Sequence, residues 1–298
     1  MSALKRQRLN PKTKKTTHVP NTIIPTLPLD FTDAREISRG TFSVVMEATY
    51  KGKRVAVKKQ AIAPQTTPYQ QELHAATLLR ETNAMRVLGD HPNIMSCSDA
   101  FYDDLSEGYI VMEKKRGTLH MVIQYFTQRS KRIDISATIC MFKKLAGAVH
   151  HAHTNNIIHS DIKPANILAD GKEWSIWLSD WGSSRTCTNK IGLPNTCERV
   201  TLWYRAPELL RNLPVFNSAI DIWSLGCILF EMIIGTPVFQ GKDVLTQYEA
   251  IKEVVRNPNH VYWTHVPHSL KNLLTQMLIM DPRHRIDAEK IVQELENM

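Results

Sequence analysis

The chain has 298 residues, of which 43% are hydrophobic, and it carries a formal net charge of +8. This length allows one large domain or two lobes, and the apolar content is ample for a core. The five cysteines form no C-x-x-C pair and have no patterned histidines nearby, which argues against a zinc site or a disulfide framework and favours a reducing compartment.

The first fifteen residues are strongly basic and contain no acid. Two interpretations stay open: a nuclear-import signal or nucleic-acid-binding arm, and a disordered solubilising extension. A proline-rich run to Pro28 fits a linker, so we assign residues 1–30 to a basic, disordered tail. The basic residues are Lys5, Arg6, Arg8, Lys12, Lys14 and Lys15.

The hydropathy pattern argues against membrane insertion. No apolar block follows the basic residues, as a secretory signal peptide would require. The longest apolar run, Ile222 to Phe239, is interrupted by Glu231, which favours a buried core helix over a membrane span. We therefore expect no membrane partner.

Several elements are predicted in chain order. Residues 33 to 60 form short β-like runs around a turn at Lys51-Gly52-Lys53. Residues 70 to 89 and 136 to 154 have apolar residues at helical spacing, and Tyr109–Met112 is typical of an interior strand.

The segment His159–Leu168 combines an acid, a cation and an amide: Asp161, Lys163 and Asn166. Pro164 keeps this segment from forming a plain helix, and the following Ile167-Leu168 predicts a short strand beneath the loop. Alone, this D-x-K-x-x-N pattern is weak, because any solvated loop can contain these residues.

Three further motifs accompany the loop. They are Val55-Ala56-Val57-Lys58 before it, and Asp180-Trp181-Gly182 and Ala206-Pro207-Glu208 after it. In this order and spacing the four motifs resemble the signature set of the eukaryotic protein kinases, over roughly residues 33 to 298. The resemblance implies an α+β, bilobal protein kinase fold: a small β-rich N-lobe with one main helix, ending with the hinge (31–115), and a larger, mostly helical C-lobe (116–298).

The resemblance also implies ATP and Mg²⁺ as cofactors. Lys58 would hold the α- and β-phosphates and needs a carboxylate on a nearby helix. The position of His91-Pro92-Asn93-Ile94 favours Glu81 as that partner, with Glu72 as the alternative. The residues expected at the nucleotide are Ile37, Gly40, Val45, Ala56, Lys58, Glu81, Met112, Glu113, Lys115 and Leu168.

Within this set, Met112 would be the gatekeeper beside the adenine, and backbone groups of Glu113 and Lys115 would hydrogen-bond the base. The glycine-rich loop departs from the family pattern, because Ser38 and Ser43 replace two glycines and make close approach to phosphates harder.

The same resemblance implies roles for the central loop. Asp161 would accept or orient the substrate hydroxyl proton, Lys163 would stabilise the transferring phosphoryl group, and Asn166 and Asp180 would bind Mg²⁺. His159 is expected to pack under the loop rather than to catalyse. A lysine two residues after the aspartate is typical of serine/threonine kinases, and Trp181 replaces the usual phenylalanine.

Residues 200–208, called the substrate loop below, resemble that of the cyclin-dependent and MAP kinase branch. Thr201 would hydrogen-bond Asp161 and Lys163, and Arg205 would shape a pocket for proline, so proline-directed specificity follows by analogy. Farther along, Asp221 would accept backbone amides of the catalytic loop. Arg285 would form a buried ion pair with Glu208, and losing one partner should cost about 3 to 5 kcal/mol.

The most informative departure is Ser160, which stands where kinases activated by loop phosphorylation carry an arginine. Arg80 and Arg185 occupy the other family positions of that basic pocket, and Thr196 matches the phosphorylated threonine. We therefore hypothesise that phosphorylation of Thr196 is weakly coupled to activity.

These features predict a protein serine/threonine kinase acting on Ser/Thr hydroxyls of protein substrates. The alternative is a pseudokinase scaffold, suggested by Ser38, Ser43, Ser160 and Trp181, although every charged group that the reaction needs is present. We expect contact with nucleic acid only through the basic tail, and the sequence shows no cyclin-binding signature around Glu81.

The compact lobes and degenerate glycine loop resemble some kinases of large DNA viruses. The expected location is intracellular, nuclear or cytoplasmic, and for a viral kinase inside an infected host cell.

Overall fold

The computed structural model describes residues 31–40, 43–60, 68–102, 108–171, 173–186, 202–211, 213 and 217–298, without the side chains of 68–75. The chain divides into two compact units. In the described residues the first comprises 31–90 with 95–115, and the second comprises 91–94 with 116–298. The basic tail, Cys187, Cys197, Thr196 and Thr201 lie outside the described residues.

The first unit is a five-stranded antiparallel sheet with one described helix. The strands are β1 (Phe31–Arg39), β2 (Ser43–Tyr50), β3 (Lys53–Gln60), β4 (Cys97–Tyr102) and β5 (Gly108–Glu113), and the helix is α1 (Pro68–Leu88). Their order in the sheet is β1-β2-β3-β5-β4, so β5 is an interior strand as predicted. One core cluster of this unit consists of Ala48, Val55, Val57, Phe101, Tyr109 and Val111.

The second unit is mostly helical. Its helices are α2 (Leu119–Thr127), α3 (Ile135–Thr154), α4 (Pro207–Leu210), α5 (Ala219–Ile234), α6 (Val244–Arg256), α7 (Val261–Thr264), α8 (His268–Met277) and α9 (Ala288–Glu296). Its short strands are β6 (Gly117–Thr118), β7 (Ile157–Ile158), β8 (Ile167–Ala169), β9 (Ile176–Leu178) and β10 (Arg185–Thr186). A β-rich unit and a larger helical unit together give the α+β, bilobal kinase fold.

Every residue of α5 is buried, which makes it the central helix of the second unit. The apolar run predicted this helix but extends five residues beyond its end. The helix stops because Gly235 adopts φ +84°, a left-handed conformation that is unfavourable for residues with a side chain. Pro237, two residues later, cannot continue the helix. Phe239 is nevertheless fully buried, because its ring stacks on Trp223.

Among the described residues, none of the helices combines the length and apolar character needed to span a bilayer.

Candidate active site

In the first unit, Lys58 and Glu81 form a buried ion pair. Lys58 lies on β3 and Glu81 on α1, and the Lys58 Nζ is 2.8 Å from both carboxylate oxygens of Glu81. Their side chains are 11% and 1% exposed. The pairing expected from the sequence is thus present, while the side chain of Glu72 lies outside the described part of the chain.

The strand register places several predicted nucleotide residues on one face of the sheet. Val45 on β2 lies opposite Lys58, and Ala56 on β3 lies opposite Met112 on β5. Directly paired residues of an antiparallel sheet point to the same side, and so do residues two apart along a strand. Val45, Ala56, Lys58 and Met112 therefore share one face, with Lys58 held there by Glu81.

The glycine-rich loop is described at its two ends. Ile37 lies on β1 and is exposed, and the Gly40 amide donates to the Ser43 carbonyl over 2.8 Å. Residues 41 and 42 lie outside the described residues. This hydrogen bond joins the two described ends of the loop.

At the predicted hinge, Met112 is buried and Glu113 is exposed at the end of β5. The ammonium of Lys115 lies 2.8 Å from the Glu113 carboxylate, and the Lys115 side chain is only 7% exposed. An ion pair therefore holds these two side chains together at the end of the first unit.

In the second unit, the loop that carries Asp161, Lys163 and Asn166 lies between two short strands. β7 pairs with β10, and β8 pairs with β6 and β9. Residues 164–166 form a single 3₁₀ turn that begins at Pro164, because proline suits a first helical position but cannot continue a helix. Leu168 lies on β8 opposite Trp177 and Thr118, and the strand holds the end of the loop in place.

Two polar side chains of this loop converge on the Asp161 carboxylate. The Lys163 Nζ donates to Asp161 Oδ2 over 2.7 Å, and the Asn166 Nδ2 donates to the same oxygen over 3.0 Å. Asn166 also donates to the Asp161 carbonyl over 2.8 Å. The D-x-K-x-x-N pattern therefore folds into a hydrogen-bonded group around Asp161.

Asp221 holds the loop from below, as the sequence predicts. Its carboxylate accepts the backbone amides of His159 and Ser160 over 2.8 and 2.9 Å. Ser160 adopts φ +71°, which is strained for a residue with a side chain, so the charge-assisted bonds from Asp221 stabilise an unfavourable backbone. The His153 ring lies 3.0 Å from the same carboxylate.

His159 is 1% exposed and packs under the loop, as expected. Its Nε2 lies 2.9 Å from the Ser179 carbonyl, and its Nδ1 accepts the Asp161 amide over 3.3 Å. The ring lies 4.6 Å from that of Trp181, which is fully buried. Both ring nitrogens are thus engaged with backbone groups, which leaves His159 a structural role.

Asp180 follows β9 and adopts φ +67°. The residue before it, Ser179, donates to the Asn166 carbonyl from both its amide and its hydroxyl, over 2.9 and 2.8 Å. These two bonds tie the Asp180 backbone to the turn that carries Asn166.

The oxygen donors of Asn166 and Asp180 fit Mg²⁺. Asn166 uses the hydrogens of its amide nitrogen on Asp161, so its amide oxygen is the atom that a cation can approach. An amide oxygen and a carboxylate are ligands that this hard cation prefers.

Two supporting residues were not predicted from the sequence. Ser179 joins Asn166 to Asp180 as described, and Asn93 fastens β9. The Asn93 side chain donates to the Ile176 carbonyl over 3.0 Å, and its own carbonyl accepts the Leu178 amide over 2.8 Å. The pattern His91-Pro92-Asn93-Ile94 does not by itself predict this contact, because Asn93 meets a strand more than 80 residues later in the sequence.

The described part of the substrate loop begins at Leu202. Glu208 forms a bidentate ion pair with Arg285, with both N–O distances 2.8 Å and both side chains buried, so the predicted pair is present. Arg285 also donates to the carbonyls of Ala219 and Ile279. The Arg285 side chain therefore anchors Glu208, the last residue of the substrate loop.

Comparisons with known proteins identify the family of the chain. The protein kinase domain model matches residues 31–295. Cyclin-dependent kinase 1 of Encephalitozoon cuniculi is 31% identical over 257 residues, which cover 85% of this chain and 82% of that protein.

Two plant kinases are similar as well. Mitogen-activated protein kinase 6 of Oryza sativa is 29% identical, covering 86% of this chain and 73% of that protein. Cyclin-dependent kinase B2-2 of Arabidopsis thaliana is 29% identical, covering 88% and 91%. The chain belongs to the protein kinase family, whose members use ATP and Mg²⁺, and its relatives lie in the cyclin-dependent and mitogen-activated branch.

Proposed function

We propose that the chain is an active serine/threonine kinase that transfers the γ-phosphate of ATP to Ser/Thr hydroxyls of protein substrates, with Asp161 as the catalytic base. The observation that carries this proposal is the hydrogen-bonded group of Asp161, Lys163 and Asn166. Both side-chain bonds go to Asp161 Oδ2, so within the described residues Oδ1 remains for a substrate hydroxyl.

The chemistry assigned to these groups is positioning and charge stabilisation. Asp161 orients the attacking hydroxyl and accepts its proton, while the Lys163 ammonium offsets negative charge on the transferring phosphoryl group. Each side chain is 20% exposed, so solvent and substrate can reach both.

Asn166 and Asp180 would hold Mg²⁺, which neutralises charge on the nucleotide phosphates when bound. Lys58, fixed by Glu81, would bind the α- and β-phosphates. The remaining nucleotide contacts are proposed for Ile37, Gly40, Val45, Ala56, Met112, Glu113, Lys115 and Leu168, with the boundary between the lobes after Lys115.

A phosphate-transfer assay with Mg²⁺-ATP and mixed Ser/Thr peptides tests the proposal. We expect activity in the wild type and a loss of at least about a hundredfold in kcat for Asp161→Asn, because the amide cannot accept the proton. Equal activity in both proteins would remove the role of Asp161. No transfer by either protein would favour the pseudokinase scaffold.

We also propose that the kinase is proline-directed. Support comes from the resemblance of residues 200–208 to the substrate loop of the cyclin-dependent and MAP kinase branch, and from relatives that carry those names. Matched peptides with Ser-Pro and Ser-Ala test this. A higher kcat/KM for Ser-Pro is expected, and equal values would refute the preference.

Activity should depend little on phosphorylation of Thr196. Ser160 is neutral, and its buried hydroxyl has no hydrogen-bond partner in the described part of the chain, so it cannot replace an arginine that would bind a phosphate. We expect Thr196→Ala to retain most of the wild-type kcat. A near-complete loss of turnover in that variant would contradict this expectation.

The basic tail lies outside the described residues and keeps the role proposed from its charge. It would direct the protein to the nucleus or bind nucleic acid in an intracellular setting. Deleting residues 1–28 and following localisation in cells tests this, and an unchanged distribution would count against a targeting role.

A further inference from the structure

Three residues from three separate segments form one hydrogen-bonded chain beside the substrate loop. Trp203 lies in the 3₁₀ turn Leu202–Tyr204, and its indole nitrogen donates to the Gly241 carbonyl over 3.2 Å. The Gly241 amide in turn donates to the side-chain oxygen of Gln247 over 2.7 Å. We call Trp203, Gly241 and Gln247 the Gln247 clamp.

The start of α6 holds Gln247 in place. Asp243 caps this helix by accepting the Thr246 amide over 2.8 Å, and the Thr246 hydroxyl accepts the Asp243 amide over 3.1 Å. This capping box satisfies two donors at once and fixes the first turn. Gln247, the next residue, donates its own amide to the Asp243 carbonyl over 2.9 Å.

Gly241 approaches this turn more closely than any other residue type could. A Cβ atom at Gly241 would lie 2.1 Å from the backbone nitrogen of Gln247 and 2.2 Å from its Cα, both of which are fixed backbone atoms. The absent side chain lets both backbone groups of Gly241 take part in the clamp, the amide toward Gln247 and the carbonyl toward Trp203.

Gln247 is fully buried, and its side-chain nitrogen has no hydrogen-bond partner in the described part of the chain. An unpartnered buried donor is destabilising, so an apolar residue of the same size would serve stability at least as well. What glutamine adds, and methionine lacks, is the acceptor for the Gly241 amide.

We propose that Gln247 is a positioning residue for the substrate loop, acting through Gly241 on Trp203. The inference rests on the proposed function, because the loop's task as a peptide platform belongs to it. Gln247 orients the Gly241 peptide, and the Gly241 carbonyl then sets where the Trp203 ring and its loop lie. Binding of the peptide substrate depends on the clamp, and binding of ATP does not.

The decisive variant is Gln247→Met, which keeps length and helix propensity but removes the acceptor together with the unpartnered nitrogen. We expect KM for a peptide substrate to rise about three- to tenfold, as for loss of one hydrogen bond, with KM for ATP unchanged and thermal stability unchanged or higher. Gln240→Met is the matched control, because Gln240 is exposed in the same segment and its side chain donates to the Pro237 carbonyl rather than to the clamp. It should leave both KM values at wild-type levels.

Trp203→Phe should raise the peptide KM in the same way, because it removes the indole nitrogen. The double variant Trp203→Phe/Gln247→Met should have a peptide KM no higher than that of the more strongly affected single variant, because both changes break the same chain of contacts. Additive losses in the double variant would overturn the proposed route through Gly241.

A nuclear magnetic resonance measurement separates this proposal from the proposed function. In Gln247→Met, the Gly241 amide and the Trp203 indole N–H signals should shift and exchange faster with solvent, whether or not the protein transfers phosphate. Unchanged signals would overturn the clamp. Shifted signals with an unchanged peptide KM would reduce it to a structural contact, which also overturns the proposal. If the wild type transfers no phosphate at all, the proposed function fails, and the two N–H signals alone decide whether the clamp exists.

Discussion

Helix α5 contains two buried acids, Asp221 near its start and Glu231 near its end, that differ in the number of their hydrogen-bond partners. Near its start, Asp221 lies within hydrogen-bond distance of two backbone amides and the His153 ring. Ten residues later, Glu231 accepts one hydrogen bond from the Tyr204 hydroxyl, over 2.6 Å. Both residues are at most 2% exposed, and at Glu231 burial raises the pKa to about 7.

The two carboxylates differ in their hydrogen-bond donors, and each additional donor stabilises the charged form of a buried carboxylate. The first turn of α5 is also where Arg285 joins Glu208 to the Ala219 carbonyl. The start of the helix is therefore a charged region whose ion pair and hydrogen bonds anchor loops, whereas Glu231 is buried against a single hydroxyl donor.

The largest effect is expected from breaking the Glu208–Arg285 pair at the start of α5. Arg285→Leu should lower the free energy of unfolding by about 3 to 5 kcal/mol, because Glu208 would remain buried without a counter-charge. Urea denaturation measures the loss. Arg283→Leu is the control, since Arg283 pairs with Asp281 at the exposed surface and should have little effect. A similar loss in both variants would show that burial does not matter at this pair.

A matched pair of acid-to-amide changes tests the comparison directly. Asp221→Asn should destabilise the protein by about 3 kcal/mol and lower kcat, because one loop amide loses its acceptor and Ser160 loses support for its strained backbone. Glu231→Gln at pH 8 should be neutral or stabilising, because it removes a buried charge. Equal destabilisation by both variants would refute the difference between the two ends.

The pH dependence of stability should reveal Glu231. Its pKa rises from 4.5 to about 7 on folding, so between these values the folded state binds more protons than the unfolded state. The contribution of Glu231 to the free energy of unfolding therefore falls as pH increases from about 4.5 to about 7 and stays low above that range.

We expect this loss to be about 2 to 3 kcal/mol in the wild type, measured relative to Glu231→Gln by urea denaturation at a series of pH values. The two proteins should have their most similar stabilities near pH 4.5. A difference that does not change with pH would show that Glu231 keeps an ordinary pKa.

Short-range patterns predicted much of this molecule. Hydrophobic periodicity located α1, α3 and the interior strand β5. The four motifs, in their order along the chain, identified Asp161, Lys163, Asn166 and Asp180 as candidate site residues. The pairing of Lys58 with Glu81 and of Glu208 with Arg285 also followed, because those positions are carried by a family pattern.

By itself, then, the sequence determined the family, the fold class and the identity of the charged groups, since residue type and spacing are local properties. Only the tertiary structure decided which polar groups support them: Asn93 under β9, Ser179 beside Asn166, Tyr204 against Glu231, and Gln247 behind Gly241. Asparagine, serine and glutamine are usually exposed, so their type alone does not mark a contact. Whether such a side chain is solvated or holds a loop depends on partners that only the packing of distant segments brings within 3 Å.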